Sequence, residues 1–313
     1  MPAQLNPHGQ NPVSTKLASA VAPDGQARRA SVWNCGAWQI DLSQPRVMGI
    51  VNVTPDSFSD GGRYFDRERA LSHARELIAE GADILDIGGE STRPGAPEVT
   101  VDEELRRVMP VLEALAGCGV ALSIDTRKPE VMRAALGAGA AIVNDVRALR
   151  EPGALEAVAA SDCGLVLMHM QGEPRTMQQA PVYANVVAEV ARFLRERRDA
   201  AVDAGIAADR IVLDPGFGFG KNVAHNLTLL AGLDRLPGPL MVGWSRKATL
   251  GQLTGRSAGE RVHASVAAAV LSVERGAAIV RVHDVAATRD ALRVVRAMRE
   301  HAIPDEPAPG GQL

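Results

Sequence analysis

Cysteine is scarce in this 313-residue chain: Cys35, Cys118 and Cys163 are odd in number and widely spaced. That excludes a disulfide framework and a thiolate zinc site, and it suits a reducing compartment, so a cytoplasmic location is expected. Aromatic residues make up only 3%, and a net charge of -3 leaves no basic excess, which argues against a nucleic-acid partner. No apolar run approaches the roughly 18 residues of a membrane span, and the first thirty residues lack the apolar segment of a secretory signal. No Ser-His-Asp or Cys-His arrangement stands out for covalent catalysis. What is present, 46% hydrophobic and 23% charged residues, is the composition of a soluble globular protein with ample core.

Residues 1–30, rich in Pro, Asn, Gln, Ser and Ala, read as a disordered extension, and so does the tail 302–313 with Pro307, Pro309, Gly310 and Gly311. Between them, 31–301 reads as one domain. The stretch Arg46 to Gly62 organises it. Val47-Met48-Gly49-Ile50-Val51 is a short apolar strand; Asn52 closes it, and Pro55 prevents its continuation. A polar, flexible loop follows. An apolar strand ending in a polar residue and a loop is how α/β proteins display chemistry at carboxyl ends of strands.

The pattern repeats. After a short hairpin over 32–40, strands are expected at 47–51, 82–87, 120–124, 141–143, 165–168, 210–213, 240–242 and 278–282. Helices are expected at 66–80, 101–116, 130–136, 153–160, 182–204, 226–233, 260–275 and 285–299. Eight alternations predict a parallel sheet closed into a (β/α)8 barrel, with an open doubly wound sheet as the competing fold.

Polar residues end nearly every strand: Asn52, Asp86, Asp125, Asn144, His169, Asp214, Lys247 and His283. In a barrel these points converge on one rim. Taken singly they have plain structural readings: Asp125 can cap a helix, and Asn144-Asp145 and Asp214-Pro215-Gly216 are turn sequences. Taken together they do not, because barrel interiors favour apolar residues and unpaired buried carboxylates are costly. Gly216 to Lys221 fails the phosphate-loop pattern, since Pro215 and Asn222 occupy required positions. Its glycines are expected to let backbone and Phe219 approach a flat ligand. The Gly88 to Gly95 arm carries Thr92 and Arg93, and Ser245-Arg246-Lys247 adds two cations. Arg93, Arg281 and His283 together describe an anion site.

These motifs, in order, resemble the dihydropteroate synthase family: Asn52 to Gly62, Gly88 to Gly95, Asp214 to Lys221, Ser245-Arg246-Lys247 and Arg281-Val282-His283. The resemblance spans roughly 47–298. It implies a TIM barrel, usually a homodimer, that joins 4-aminobenzoate to hydroxymethyl-dihydropterin diphosphate and releases pyrophosphate, and that is a sulfonamide target. By motif position it implies that Asp125, Asn144, Asp214 and Lys247 hold the pterin, with Met168 and Phe219 flanking the ring. Asn52 would ligate Mg²⁺ together with diphosphate oxygens, and Arg281 and His283 would grip the diphosphate. Phe58, Asp60, Thr92, Arg93 and Pro94 would close over the site and shape the aminobenzoate pocket. The implied mechanism is dissociative, needing no protein nucleophile. One departure is Ala248, where the family commonly has serine near the aminobenzoate carboxylate; Trp244 has no role assignable from sequence. A methyltetrahydrofolate-corrinoid methyltransferase and a non-catalytic pterin-binding subunit remain as alternatives, although neither calls for all of Asn52, Asp60, Arg93, Lys247, Arg281 and His283.

Overall fold

The computed structural model describes residues 32–54, 62–92, 95–173 and 176–301, side chains at 62–66 excepted. An antiparallel hairpin, β1 (Val32–Cys35) and β2 (Trp38–Asp41), precedes eight parallel strands. These are β3 (Arg46–Asn52), β4 (Ile84–Gly88), β5 (Ala121–Asp125), β6 (Ile142–Asp145), β7 (Gly164–Met168), β8 (Ile211–Asp214), β9 (Met241–Val242) and β10 (Ile279–Val282). Their order, β8-β7-β6-β5-β4-β3-β10-β9, is closed by a parallel bridge from Leu213 to Leu240 and by the Leu213 amide donating to Pro239 O at 3.0 Å. The result is a (β/α)8 barrel, not an open sheet.

Strand alternation divides each strand between two environments. Val47, Leu85, Leu122, Val143, Leu165 and Leu213 pack outward against the helices. Met48, Ile84, Ala121, Ile142, Val166, Val212, Met241 and Ile279 fill the lower barrel interior. The hairpin seals that end: Trp33, fully buried, joins the same cluster, and its indole N–H donates to Arg210 O at 2.7 Å.

The outer ring comprises α1 (Gly62–Ala79), α2 (Val101–Leu115), α3 (Pro129–Gly137), α4 (Ala154–Ala159), α5 (Val186–Asp203), α6 (Val223–Ala231), α7 (Ala248–Thr254), α8 (Val262–Glu274) and α9 (Val285–Glu300). Local chemistry sets several starts. Thr100 accepts from the Glu103 amide, with Asp102, Glu103 and Glu104 in the first turn of α2, where the helix dipole favours acids. Asn185 caps α5, so this helix begins four residues later than hydrophobic spacing alone suggests. Asn222 and His225 form a reciprocal capping box that starts α6 three residues earlier than expected. The sequence reading did not anticipate α7, whose seven residues are too few for a periodic signal; Gly255 ends it in the left-handed region at φ 71°. Among the described residues no helix is long and apolar enough to cross a membrane.

Candidate active site

Two residues above the apolar layer, the same strands carry Ile50, Asp86, Ser123, Asn144, Met168, Asp214, Gly243 and Arg281, and the side chains change character. Asp86 is fully buried and accepts from Ser123 Oγ at 2.5 Å, Asn144 Nδ2 at 2.9 Å and Arg281 Nε at 2.6 Å. The same guanidinium reaches Asp125 Oδ2 through NH2 at 2.7 Å. Asp125 lies one layer nearer solvent, its side chain 14% exposed. Burial pushes the Asp125 carboxyl up from its ordinary range, Arg281 opposes this, and the Asp86 charge adds to the rise.

Across the mouth, Asp214 Oδ1 accepts the Gly216 amide at 2.7 Å, and burial raises its pKa against the pull of Lys247. Lys247 Nζ stands 4.6 Å from the centre of the Phe219 ring and donates to Phe217 O. Burial lowers the Lys247 ammonium to about 8, with Asp214 opposing and Arg281 assisting. Phe219 packs on a small apolar cluster of Met168, Val146, Met170 and Met177, forming an apolar face. His283 donates its backbone N–H to Ser245 Oγ at 3.1 Å, and its Nδ1 pairs with the same hydroxyl at 3.0 Å.

Asn52 ends β3, half-buried at the same rim. Thr92 lines a cavity of about 220 Å³ with Ser91, Asp125, Arg127 and Arg147. The arm that carries it is fastened at its base: Lys128 Nζ bonds Glu90 at 2.8 Å and the fully buried Glu104 at 2.5 Å, and Glu90 accepts the Val99 amide at 3.0 Å. Phe58, Asp60, Arg93 and Pro94 lie outside the described residues, as do the two terminal extensions.

Three expectations change on contact with the structure. His169 does not face the mouth; one residue past Met168, alternation turns it outward, where Nδ1 meets Lys221 Nζ at 2.9 Å and the ring sits edge-on to Phe193. Burial and Lys221 keep this imidazole neutral. Of the two cations after Ser245, only Lys247 joins the site; Arg246 adopts φ 58° and grips Asp284 through Nε and NH2 at 3.2 and 2.5 Å. The glycine loop is also shaped by protein contacts. A Cβ at Gly216 would lie 1.9 Å from His169 O, and one at Gly220 would lie 2.3 Å from Gln171 O, so both glycines permit close packing on that segment. Lys221 ties this loop down from beneath, donating to Gly216 O at 2.9 Å and Phe219 O at 3.0 Å.

Sequence reasoning placed Asp86 on the rim without naming its partners, and it gave no site role to Ser123, Ser245 or Lys221. The signal for Ser123 was available, since it stands two residues before Asp125 and so shares its face. Trp244 packs its ring against Phe217, centroids 4.3 Å apart, behind Lys247.

An eight-stranded barrel whose mouth sets paired carboxylates, an amide and an ammonium beside an apolar face is that of a pterin-binding enzyme, and the family described as "Pterin binding enzyme" matches residues 48–283. The dihydropteroate synthase of Neisseria meningitidis serogroup B is 56% identical over 277 residues, spanning 85% of this chain and 97% of that relative. The solved Xanthomonas albilineans dihydropteroate synthase with 4-aminobenzoic acid superposes with a TM-score of 0.82 at 56% identity, covering 88% of this chain and 100% of that one. The Burkholderia cenocepacia dihydropteroate synthase complexed with 7,8-dihydropteroate gives 0.80 at 52%, covering 88% and 98%. The chain belongs to the dihydropteroate synthases.

Proposed function

We propose that this chain condenses 6-hydroxymethyl-7,8-dihydropterin diphosphate with 4-aminobenzoate, giving 7,8-dihydropteroate and pyrophosphate. The observation that carries the reading is the grouping of Asp125, Asn144, Asp214 and Lys247 in one barrel mouth beside Met168 and Phe219. Carboxylates there accept the adjacent N–H donors of an aminopyrimidinone edge, while Asn144 and Lys247 complement its remaining groups. Met168 and Phe219 lie along the ring. Arg281 and His283 meet the diphosphate, and Thr92 borders the aminobenzoate pocket.

Among the described residues no cluster of three or more His, Cys, Asp or Glu side chains could hold a metal. The donor at the rim of β3 is instead the single neutral amide oxygen of Asn52. Such a site fits Mg²⁺ that takes its other ligands from diphosphate oxygens and water. Bound there, the ion supplies charge neutralisation at the leaving diphosphate. The bond from the exocyclic methylene to diphosphate oxygen breaks with its electron pair on oxygen. Ring nitrogen stabilises the resulting pterin cation. The aniline nitrogen then forms the new C–N bond and loses a proton. The protein's part is charge stabilisation by Lys247, Arg281 and His283 and orientation by the pterin-holding residues.

A homodimer is part of the proposal, supported by the exposed Leu253, Leu271, Val294 and Met298 on the consecutive helices α7, α8 and α9. A cytoplasmic location is likewise proposed, supported by the unpaired thiols of Cys35, Cys118 and Cys163. The test is pyrophosphate release from the pterin diphosphate and Mg²⁺, with and without 4-aminobenzoate. Release that requires aminobenzoate and yields dihydropteroate is expected. Tight pterin binding without release would point to a non-catalytic subunit.

A further inference from the structure

We propose that Asp86 is a positioning residue for the barrel mouth: it sets which way the Asn144 amide points and anchors the root of Arg281 while leaving the tip of that guanidinium exchangeable. This rests on the reading of the site given above.

An ionised carboxylate can only accept hydrogen bonds. Asp86, with no exposed surface, therefore requires donors, and it takes them from three other strands: Ser123 on β5, Asn144 on β6 and Arg281 on β10. The demand fixes the Asn144 amide with its nitrogen toward Asp86, which leaves Oδ1 as the atom turned to a ligand. An unrestrained amide presents either end. Arg281 is held at two points that differ in burial. Its Nε rests on the fully buried Asp86, and its NH2 rests on the partly exposed Asp125. A heterocycle whose N–H groups take the Asp125 oxygens displaces only the tip. The root stays on Asp86, so the released N–H groups remain at the mouth and available to an anion. Asp86 touches neither substrate; it acts through Asn144 and Arg281.

The test compares Asp86→Asn with the unsubstituted protein by calorimetry against the pterin diphosphate and by steady-state kinetics. The amide offers N–H groups to a cluster of donors, so Asn144 must flip or lose its partner. Pterin affinity is expected to fall roughly tenfold or more, the scale for disturbing a buried charged hydrogen bond. KM for 4-aminobenzoate should stay within about twofold, a split that general loosening of the fold would not produce. Combining Asp86→Asn with Asn144→Asp restores a donor–acceptor pair with an oxygen still facing the ligand, and it should recover part of the lost affinity. Should Asp86→Asn not fold, Ser123→Ala keeps the carboxylate and removes one donor; a pterin affinity lowered about two- to fivefold is then expected. Unaltered pterin affinity in a folded Asp86→Asn, or in Ser123→Ala if that is the variant used, overturns the positioning role. Failure of the unsubstituted protein to bind the pterin overturns the reading of the site on which it rests.

Discussion

The floor and the mouth of the barrel are made by the same strands, two residues apart, yet they follow opposite rules. On the floor, Met48, Ile84, Ile142 and Val212 interlock without a polar atom between them. Directly above the last three, Asp86, Asn144 and Asp214 are nearly as buried, at 0%, 3% and 6% exposure. Burial of apolar side chains stabilises the floor by about 1.5–3 kcal/mol each. Burial of the polar ring costs desolvation that hydrogen bonds and ion pairs largely offset. The fold rests on the floor, and the mouth holds preorganised charge.

The largest effect that tests this contrast is Ile142→Ala. It should cost about 2–5 kcal/mol in denaturant unfolding, through lost burial and a cavity, while pterin affinity per folded molecule is unchanged. A fall in affinity would show that the floor also shapes the site. Asp125→Asn probes the other end. The amide sets an NH2 donor where the second carboxylate oxygen accepted, so it cannot take adjacent donors one on each atom, and pterin affinity should drop about 10- to 100-fold by calorimetry. The melting temperature should move little, since burial already disfavours this charge. Unchanged binding would mean that the pterin lies elsewhere.

Proton loss from Lys247 gives a smaller, graded effect. Its pKa is lowered to about 8, so the ammonium is intact below that pH and is lost as pH rises through it. Pterin affinity should therefore weaken several-fold between about pH 7 and about pH 9. Lys247→Arg, which stays charged, should flatten that slope; an equally steep slope would assign the titration to another group. Least is expected of Ala248→Ser. Ala248 is exposed and opens α7 beside Lys247, and one added hydroxyl donor is worth about 1 kcal/mol. Aminobenzoate and sulfonamide affinities should rise by roughly threefold to tenfold, and no change in either would leave the alanine without consequence.

Much of the site was legible because residues ending strands of one parallel barrel must meet. Asp86, Asp125, Asn144 and Asp214 were found this way, Arg281 by its charge within the last strand, and the structure gathers them. The reading failed where direction mattered. His169 ends a strand as Asp214 does, but parity turns it to the helix layer. Arg246 and Lys247 are equal as cations in the chain, and only the left-handed backbone at Arg246 separates them, sending one to Asp284 and the other to the mouth. The glycines after Asp214 signalled close approach correctly, but their neighbour is the 169–171 backbone.

Barrel class, strand count, the polar rim and the family were determined by the sequence alone, because alternation, turn chemistry and motif order are local or collinear properties. Tertiary structure alone decided the pairing beneath the rim. Asp86 meets Arg281 across 195 positions and Asn144 across 58, contacts that exist only once the strands assemble side by side. No local pattern records them, since a buried carboxylate and an exposed one are the same letter until the fold removes the water around one of them.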